Sequence, residues 1–271
     1  MPDLDSRVAA FRRLHESGCF VIPNPWDVGS ARLLERLGFP ALATTSSGFA
    51  WTLGRPDYTV AVDEALTHYA AVAAAVKVPI NADFERGFAT DPEGVARNVA
   101  RACDTGVAGL SVEDSTHETA QPLFDFDVAV ERVRAARRAI DDSGKGILLT
   151  GRSEGFIVGR PDLRETIRRL EAYAGAGADV LYAPGLSSLD DIGAVVRAVA
   201  PRPVNVLVAS GFTTVAALAE LGVRRISVGS ALARTALTGF LAAAREIAQD
   251  GTFTALGDAT SFAEVNRLFG A

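Results

Sequence analysis

The stretch VPINADFERGFATDPEGVARNVARACDTGVAGLSVEDS (78–115) contains a strand, a helix and a second strand in one continuous reading. Its first apolar run, VPINADF (78–84), ends on acids. DPEGVARNVARAC (91–103) then carries the spacing of an amphipathic helix, opened by Asp91 before Pro92, which is helix-start chemistry. A Gly-containing link stops that helix and feeds GLSVED (109–114), the next short apolar run. The same unit recurs outward in both directions. FVIPN (20–24), ALATT (41–45), GILLTGR (146–152), ADVLYAPG (178–185), PVNVLVA (203–209) and RRISVGS (224–230) bring the strand-like runs to eight. Helical stripes fill the intervals, among them VGSARLLERL, DEALTHYAAVAAAV, DLRETIRRLEAYA with Pro161 and Asp162 at its start, LDDIGAVVRAVA and SALARTALTGFLAAAREIA. In DVAVERVRAARRAI the apolar face is assigned to Val128, Val130, Val133, Ala136 and Ile140, with Arg and Glu on the opposite face. Eight strands alternating with helices predict an α/β fold, a single (β/α)8 TIM barrel over residues 1–271. An extra helix precedes the first strand and a short C-terminal helix lies near TSFAEVNRLFG (260–270). An open doubly wound sheet is the alternative.

Bulk properties limit the partners. With 271 residues, 48% hydrophobic and 22% charged, the chain has the makings of one large core and not of a disordered segment. A net charge of -6 leaves no electrostatic footprint for nucleic acid or an anionic membrane, so a small molecule is the expected partner. The two cysteines, Cys19 and Cys103, have no metal-ligand spacing and read as small buried apolar residues. No segment reaches the ~20 apolar residues of a membrane span, and the N-terminus lacks the apolar core of a signal peptide. The expected location is cytoplasmic.

In a barrel the chemistry lies at the C-terminal ends of the strands, and four charged residues stand there: Asp83, Glu85, Glu113 and Arg152. Acids two apart at a strand end point to one face, so Asp83 and Glu85 are placed to share a hard cation, with Glu113 arriving from the next strand. Helix capping is the bland alternative for the pair, but the next helix starts too far on, near Asp91. Asp114 and Ser115, beside Glu113, read as ordinary loop residues. For Arg152 a structural salt bridge and an anion site stay equally open. In TTSSGFAWTLGRPD (44–57), Ser47, Gly48 and Phe49 offer a hydroxyl and free backbone N–H groups to a carboxylate, although a plain βα turn is the stronger reading from the residues alone. Asp57 by itself is indistinguishable from a turn or capping acid. His15 and His68 fall within helices and read as surface or interface residues. His117, in the loop after the fourth strand, is either solvated or active. SVGSALARTA carries a weak likeness to the phosphate-binding turn of many barrels.

NPWDVGSARLLERLGFPALATTSSGFAWTLGRPD, NADFERGFATDPEGV, GVAGLSVEDS, TGRSE, AGADVLYAPGL and PVNVL run in the order of the isocitrate lyase/phosphoenolpyruvate mutase superfamily, which the chain resembles over nearly its whole length. Members are Mg2+-dependent (β/α)8 enzymes that make or break C–C or C–P bonds next to a 2-oxo acid. The resemblance implies Mg2+, with Mn2+ as a substitute, held by Asp83, Glu85 and Glu113 directly or through waters. It also implies that Ser47, Gly48, Phe49 and Arg152 bind the carboxylate of the oxo acid, that Asp57 sits beside the reacting centre, and that Asn205 and His117 line the pocket. A homotetramer, a dimer of dimers with C-terminal helices between subunits, is implied as well.

Departures narrow the activity. Lyases of the superfamily carry a Lys-x-Cys-Gly-His loop after the fourth strand, whereas this chain reads DSTHETAQPLFDFD, without cysteine. The strand-six glutamate of many members is replaced by Pro184, and the gate loop lacks the asparagine-bearing pattern of the phosphonate-processing members. The leading expectation is therefore lyase, hydrolase or decarboxylase chemistry on a small 2-oxo acid or dicarboxylate such as oxaloacetate, pyruvate or 2-oxoglutarate. C–P chemistry on phosphonopyruvate or phosphoenolpyruvate, or a catalytically silent binding protein, are the alternatives.

Overall fold

A computed structural model describes residues 3–270. Its strands are β1 (Phe20–Ile22), β2 (Leu42–Ala43), β3 (Ile80–Asp83), β4 (Gly109–Glu113), β5 (Leu148–Arg152), β6 (Val180–Tyr182), β7 (Val204–Leu207) and β8 (Arg225–Ser227). All pair in parallel, in the order β1-β8-β7-β6-β5-β4-β3-β2. This is the expected (β/α)8 barrel. The strands are shorter than the apolar runs, and β1 stops at Ile22 because Pro23 has no N–H to give the ladder. The seam between β1 and β2 is closed past that proline, where the Ala43 N–H donates to the Pro23 carbonyl at 3.0 Å. Buried Asn24 reinforces it. Its Nδ2 donates to the Thr44 carbonyl at 3.0 Å, while its Oδ1 accepts from the N–H groups of Val228 and Gly229 at 2.9 and 2.8 Å.

Eleven α-helices and one 3-10 turn are present among the described residues. They are α1 (Leu4–Leu14), α2 (Val28–Arg36), α3 (Ser46–Thr52), α4 (Val62–Ala75), α5 (Pro92–Cys103), α6 (Phe126–Asp142), α7 (Leu163–Gly175), α8 (Leu189–Val199), α9 (Val215–Glu220), α10 (Ala231–Asp250) and α11 (Phe262–Phe269). The N-terminal and C-terminal extra helices are where the sequence placed them. Asp91 caps α5 by accepting from the Gly94 N–H at 2.7 Å, as its position before Pro92 predicts. The residues 46–52, read above as a turn, instead form α3, capped by the Thr45 hydroxyl.

The strands obey period two, with polar residues inside. Ile80, Ala82, Leu110, Val112, Leu149, Val206 and Ile226 are buried and apolar, while the intervening Asn81, Ser111, Thr150, Asn205, Arg225 and Ser227 are buried and polar. Barrel interiors are usually filled with branched aliphatics, so this polar lining is unusual and makes a hydrogen-bonding interior. The floor is closed by α1. A Cβ on Gly109 would lie 2.9 Å from Phe11 Cε1 and 3.0 Å from both Asn81 Oδ1 and the Leu148 carbonyl, so only glycine admits the Phe11 ring there.

Two details of the helical reading change. On α6, Val128 is 39% exposed, whereas Arg132 is buried and donates to the carbonyls of Ala89 and Thr90 at 2.7 and 2.6 Å and to that of Arg86. The long basic side chain satisfies otherwise unpaired loop carbonyls, a role that a helical stripe cannot reveal. His15 and His68 are likewise buried. His15 Nδ1 meets the Phe11 carbonyl at 2.8 Å, and His68 stacks on Phe49 with ring centroids 3.9 Å apart. Cys103 is buried as expected, but Cys19 is only partly so. Among the described residues no helix is long and apolar enough to cross a membrane.

Candidate active site

At the C-terminal end of the barrel a cavity of about 160 Å3 opens between the β2 and β3 loops and runs into the polar interior. Ser47, Asp57, Asp83, Arg152 and Asn205, all anticipated from the sequence, line it. Arg152 leaves the end of β5 and gathers acids from three directions. Its Nη1 lies 3.2 Å from Asp83 Oδ1 and 3.2 Å from Glu113 Oε2, and its Nε and Nη2 both pair with Glu154, the latter at 3.1 Å. Burial disfavours its charge, but the carboxylates of Glu113, Glu154 and Asp83 hold its pKa well above the ordinary arginine value.

The acids outnumber the cation. Burial, followed by the charges of Asp83 and Glu113, raises Glu85 to about 9. Burial also pushes Glu113 up to about 7 and Glu154 up to about 8, in both cases against the pull of Arg152. Asp57 is raised by burial and then by the Asp83 charge. Mutually repelling carboxyl groups in a low-dielectric pocket take up either protons or a cation. The donor set, all carboxylate oxygen, fits a hard divalent ion such as Mg2+. Among the described residues, however, no group of three His, Cys, Asp or Glu side chains converges on one point to hold a metal directly. Arg152 occupies the space between Asp83 and Glu113. Of the three acids expected to hold the ion, only Asp83 lines the cavity, so Glu85 and Glu113 would act through water.

Two loops meet over these acids. Tyr58, after α3, and His117, after β4, stack with ring centroids 3.7 Å apart. Both have left-handed backbones, with φ of 63° and 60°, as has Glu85 with 46°. Non-glycine residues held this way store strain that the surroundings must overcome, a pattern concentrated at functional sites. His117 Nε2 lies 2.8 Å from Glu113 Oε1. Burial and then the nearby Arg86 lower the His117 pKa to about 4, so at neutral pH the ring is uncharged. His117 is thereby a partner of Glu113 and not a cavity-lining residue.

Gly48 and Phe49 are turned away from the cavity. A Cβ at Gly48 would lie 2.6 Å from Thr45 Cγ2 and 2.8 Å from Trp26 Cβ, so glycine serves packing there. The Phe49 N–H is taken by the Thr45 carbonyl at 3.0 Å, which leaves it unable to serve a carboxylate. Asp114, read as a loop residue, is buried: its Oδ1 accepts from the Glu154 N–H at 2.7 Å and its Oδ2 from the Tyr173 hydroxyl at 2.6 Å and from Arg169 at 3.1 Å. Sequence reasoning also missed Glu154, Tyr58 and Arg225. Glu154 stood within the TGRSE motif. Arg225 had a signal too, since in RRIS two consecutive arginines open a strand and period two must send one of them inward.

Comparison with known proteins agrees with this architecture. Residues 11–248 match the model of the phosphoenolpyruvate phosphomutase family. A crystal structure from Burkholderia cenocepacia J2315, provisionally assigned as a lyase/mutase, superposes with a TM-score of 0.96 at 47% identity, covering 99% of this chain and 98% of that one. The oxaloacetate decarboxylase of Paraburkholderia xenovorans is 29% identical over 227 residues, 80% of this chain and 73% of that protein. A phosphonopyruvate hydrolase crystallised with oxalate and Mg2+ superposes with a TM-score of 0.85 at 25% identity, covering 97% of this chain and 95% of that one. The polar barrel mouth, its acids around one arginine and these matches together make the chain a member of the phosphoenolpyruvate phosphomutase family, within the isocitrate lyase/phosphoenolpyruvate mutase superfamily.

Proposed function

We propose that this protein is a Mg2+-dependent enzyme that binds a small 2-oxo acid and breaks or forms the C–C bond beside its oxo group, by lyase, hydrolase or decarboxylase chemistry. The observation that carries the reading is the excess of carboxyl groups at the barrel mouth, with Asp83, Glu113 and Glu154 gathered on Arg152 and with Glu85 and Asp57 close enough for the Asp83 charge to raise both. Asp83 would hold the ion, with Glu85 and Glu113 behind it. Bound there, Mg2+ supplies Lewis-acid stabilisation of the negative charge that develops on the oxo oxygen, the effect usually largest in such reactions. Arg152 and the Ser47 hydroxyl orient the substrate carboxylate. With Asp83 and Glu113 serving the ion, Arg152 would have two fewer carboxylate partners and its charge would be available to the substrate carboxylate. Asp57, with its raised pKa, is placed to hold a proton at the cavity wall. Tyr58, stacked on His117, covers the site and keeps water out.

Calorimetry with Mg2+ or Mn2+ and a panel of oxaloacetate, pyruvate and 2-oxoglutarate tests this. At least one acid is expected to bind in a metal-dependent manner, with affinity lost by about ten-fold or more in Asp83→Ala. Absence of binding across the panel, or an Asp83→Ala protein that behaves as the parent, overturns the proposal. The family match keeps C–P chemistry as the second reading. Incubation with phosphonopyruvate and phosphoenolpyruvate followed by 31P NMR decides it, and unchanged spectra remove it. Binding without turnover of any acid would mark a sensing protein instead.

We also propose that the protein is cytoplasmic and assembles as a homotetramer. The basis for assembly is α10, a helix of 20 residues with only Ala233 buried, which leaves Phe240 66% exposed beside Leu237 and Leu241. Apolar faces of this size mark protein contacts.

A further inference from the structure

Two loops from different units of the barrel touch above the acid cluster. Tyr58 belongs to the loop between α3 and α4, and His117 to the loop that follows β4. Their rings stack with centroids 3.7 Å apart and planes inclined by 30°. Both backbones are left-handed, a conformation that glycine takes freely and that tyrosine or histidine keeps only when its surroundings hold it there. The surroundings do so. The Tyr58 N–H donates to Asp57 Oδ1 at 3.0 Å, and the Thr59 hydroxyl donates to the Pro56 carbonyl at 2.7 Å. In the other loop, the His117 N–H donates to Ser115 Oγ at 3.1 Å, the Glu118 N–H to Thr116 Oγ1 at 3.0 Å and the Thr116 N–H to the Pro122 carbonyl at 3.0 Å. Each loop thus keeps a non-glycine residue in a costly backbone at the point where its ring meets the other.

The stack leads inward. Tyr58 is 43% exposed, whereas the His117 side chain on which it lies is 10% exposed. His117 Nε2 lies 2.8 Å from Glu113 Oε1, and the other oxygen of that carboxylate lies 3.2 Å from Arg152 Nη1. A continuous line of contacts therefore runs from the outer loop through Tyr58, His117 and Glu113 to Arg152. With one oxygen on His117 and the other on Arg152, the Glu113 carboxylate is fixed from both sides.

We infer that His117 is a positioning residue for Glu113, clamped in place by the Tyr58 ring, so that the loop bearing Asp57 and the loop after β4 become ordered together over the site. This rests on the proposed function in making support of the ion the task of Glu113, while the clamp itself is a property of the two loops. The ring of Tyr58, not its hydroxyl, does the clamping.

Hydrogen exchange followed by mass spectrometry on the full chain tests the clamp, with Tyr58→Gly, Tyr58→Phe, His117→Gly and the double glycine variant beside the parent. Glycine fits the left-handed backbone at both positions, so these variants remove the rings without straining the loops. Tyr58→Gly is expected to speed exchange of residues 115–123, in the other loop, by about three- to ten-fold, which is what an aromatic pair is worth. Tyr58→Phe, which keeps the ring, should exchange there as the parent does. In the His117→Gly background the loss of Tyr58 should have no further effect on that loop. Unchanged exchange of 115–123 in Tyr58→Gly overturns the clamp and leaves the 2-oxo-acid reading intact. Positioning is read separately, by calorimetry with Mn2+ alone. His117→Gly is expected to weaken Mn2+ binding by about ten-fold or more, and His117→Gln, whose amide spans a similar length, to recover part of it. Affinity in His117→Gly equal to that of the parent overturns the positioning role. A parent that binds no Mn2+ overturns the metal-dependent reading and the positioning role with it, whereas coupled exchange in the same protein still establishes the clamp.

Discussion

Asp114 reads in sequence as an ordinary loop residue, yet the fold makes it a junction between β4, α7 and the loop after β5. It accepts from the Glu154 backbone, the Tyr173 hydroxyl and Arg169 while almost fully buried. Removing one partner from such a buried set leaves the others unpaired, so Asp114→Ala is expected to destabilise by about 3 kcal/mol in urea denaturation. An unchanged midpoint would show that water replaces the carboxylate. His15 gives a pH prediction. Its pKa falls from 6.5 to about 3, mainly through burial, so between these values the unfolded chain binds a proton that the folded chain refuses. Stability therefore drops as pH falls below about 6.5, by on the order of 1.4 kcal/mol per pH unit from this group, until about pH 3. Comparing the pH dependence of stability in His15→Gln and the parent measures this contribution, and parallel curves would refute it.

Among the elements, α1 exists to close the barrel floor, and its fit depends on an absence in β4. Gly109 faces Phe11 Cε1 across a space that a methyl group would fill to 2.9 Å. Gly109→Ala must displace either the ring or the strand and is expected to cost about 1–3 kcal/mol, read as a lowered denaturation midpoint. A neutral result would mean that α1 moves freely on the floor. α3 teaches the opposite lesson, since a segment rich in Ser and Gly became a helix once the Thr45 hydroxyl and the packing of Trp26 fixed its first turn. Local propensity there was overridden by tertiary contact. On α6, the amphipathic stripe located the helix correctly and misassigned Val128 and Arg132, because loop carbonyls of the preceding unit, absent from any helical wheel, capture the arginine.

For the whole molecule, the outward face of α10 is an apolar surface that its own barrel does not cover. Phe240, Leu237 and Leu241 lie exposed on it, and Phe253 and Phe262 are exposed further along the C-terminal region. Light scattering is expected to report an oligomer, and Phe240→Glu to shift it toward smaller species with the circular dichroism of the parent. A monomeric parent would contradict the assembly. Buried Asn24, joining the ends of β1, β2 and β8, shows why the eight units act together: one side chain satisfies a backbone carbonyl across the seam between β1 and β2 that the ladder leaves open and two backbone N–H groups just past β8.

The repeat of strand and helix, the chemistry of strand ends and the motifs NADFERGF, GLSVEDS and TGRSE were all readable in one dimension, because alternation and periodicity are local properties of a chain. They determined the barrel, the helix before it and after it, and the placing of Asp83, Glu85, Glu113 and Arg152 at one end. Which of these groups face each other was not local. The pairing of Arg152 with Asp83, Glu113 and Glu154, the turning of Gly48 and Phe49 into the packing and the burial of His15, His68 and Arg225 all depend on distances between strands far apart in sequence. Charge in a low-dielectric interior is governed by its neighbours in space, so the electrostatics of the site were decided only when the barrel closed.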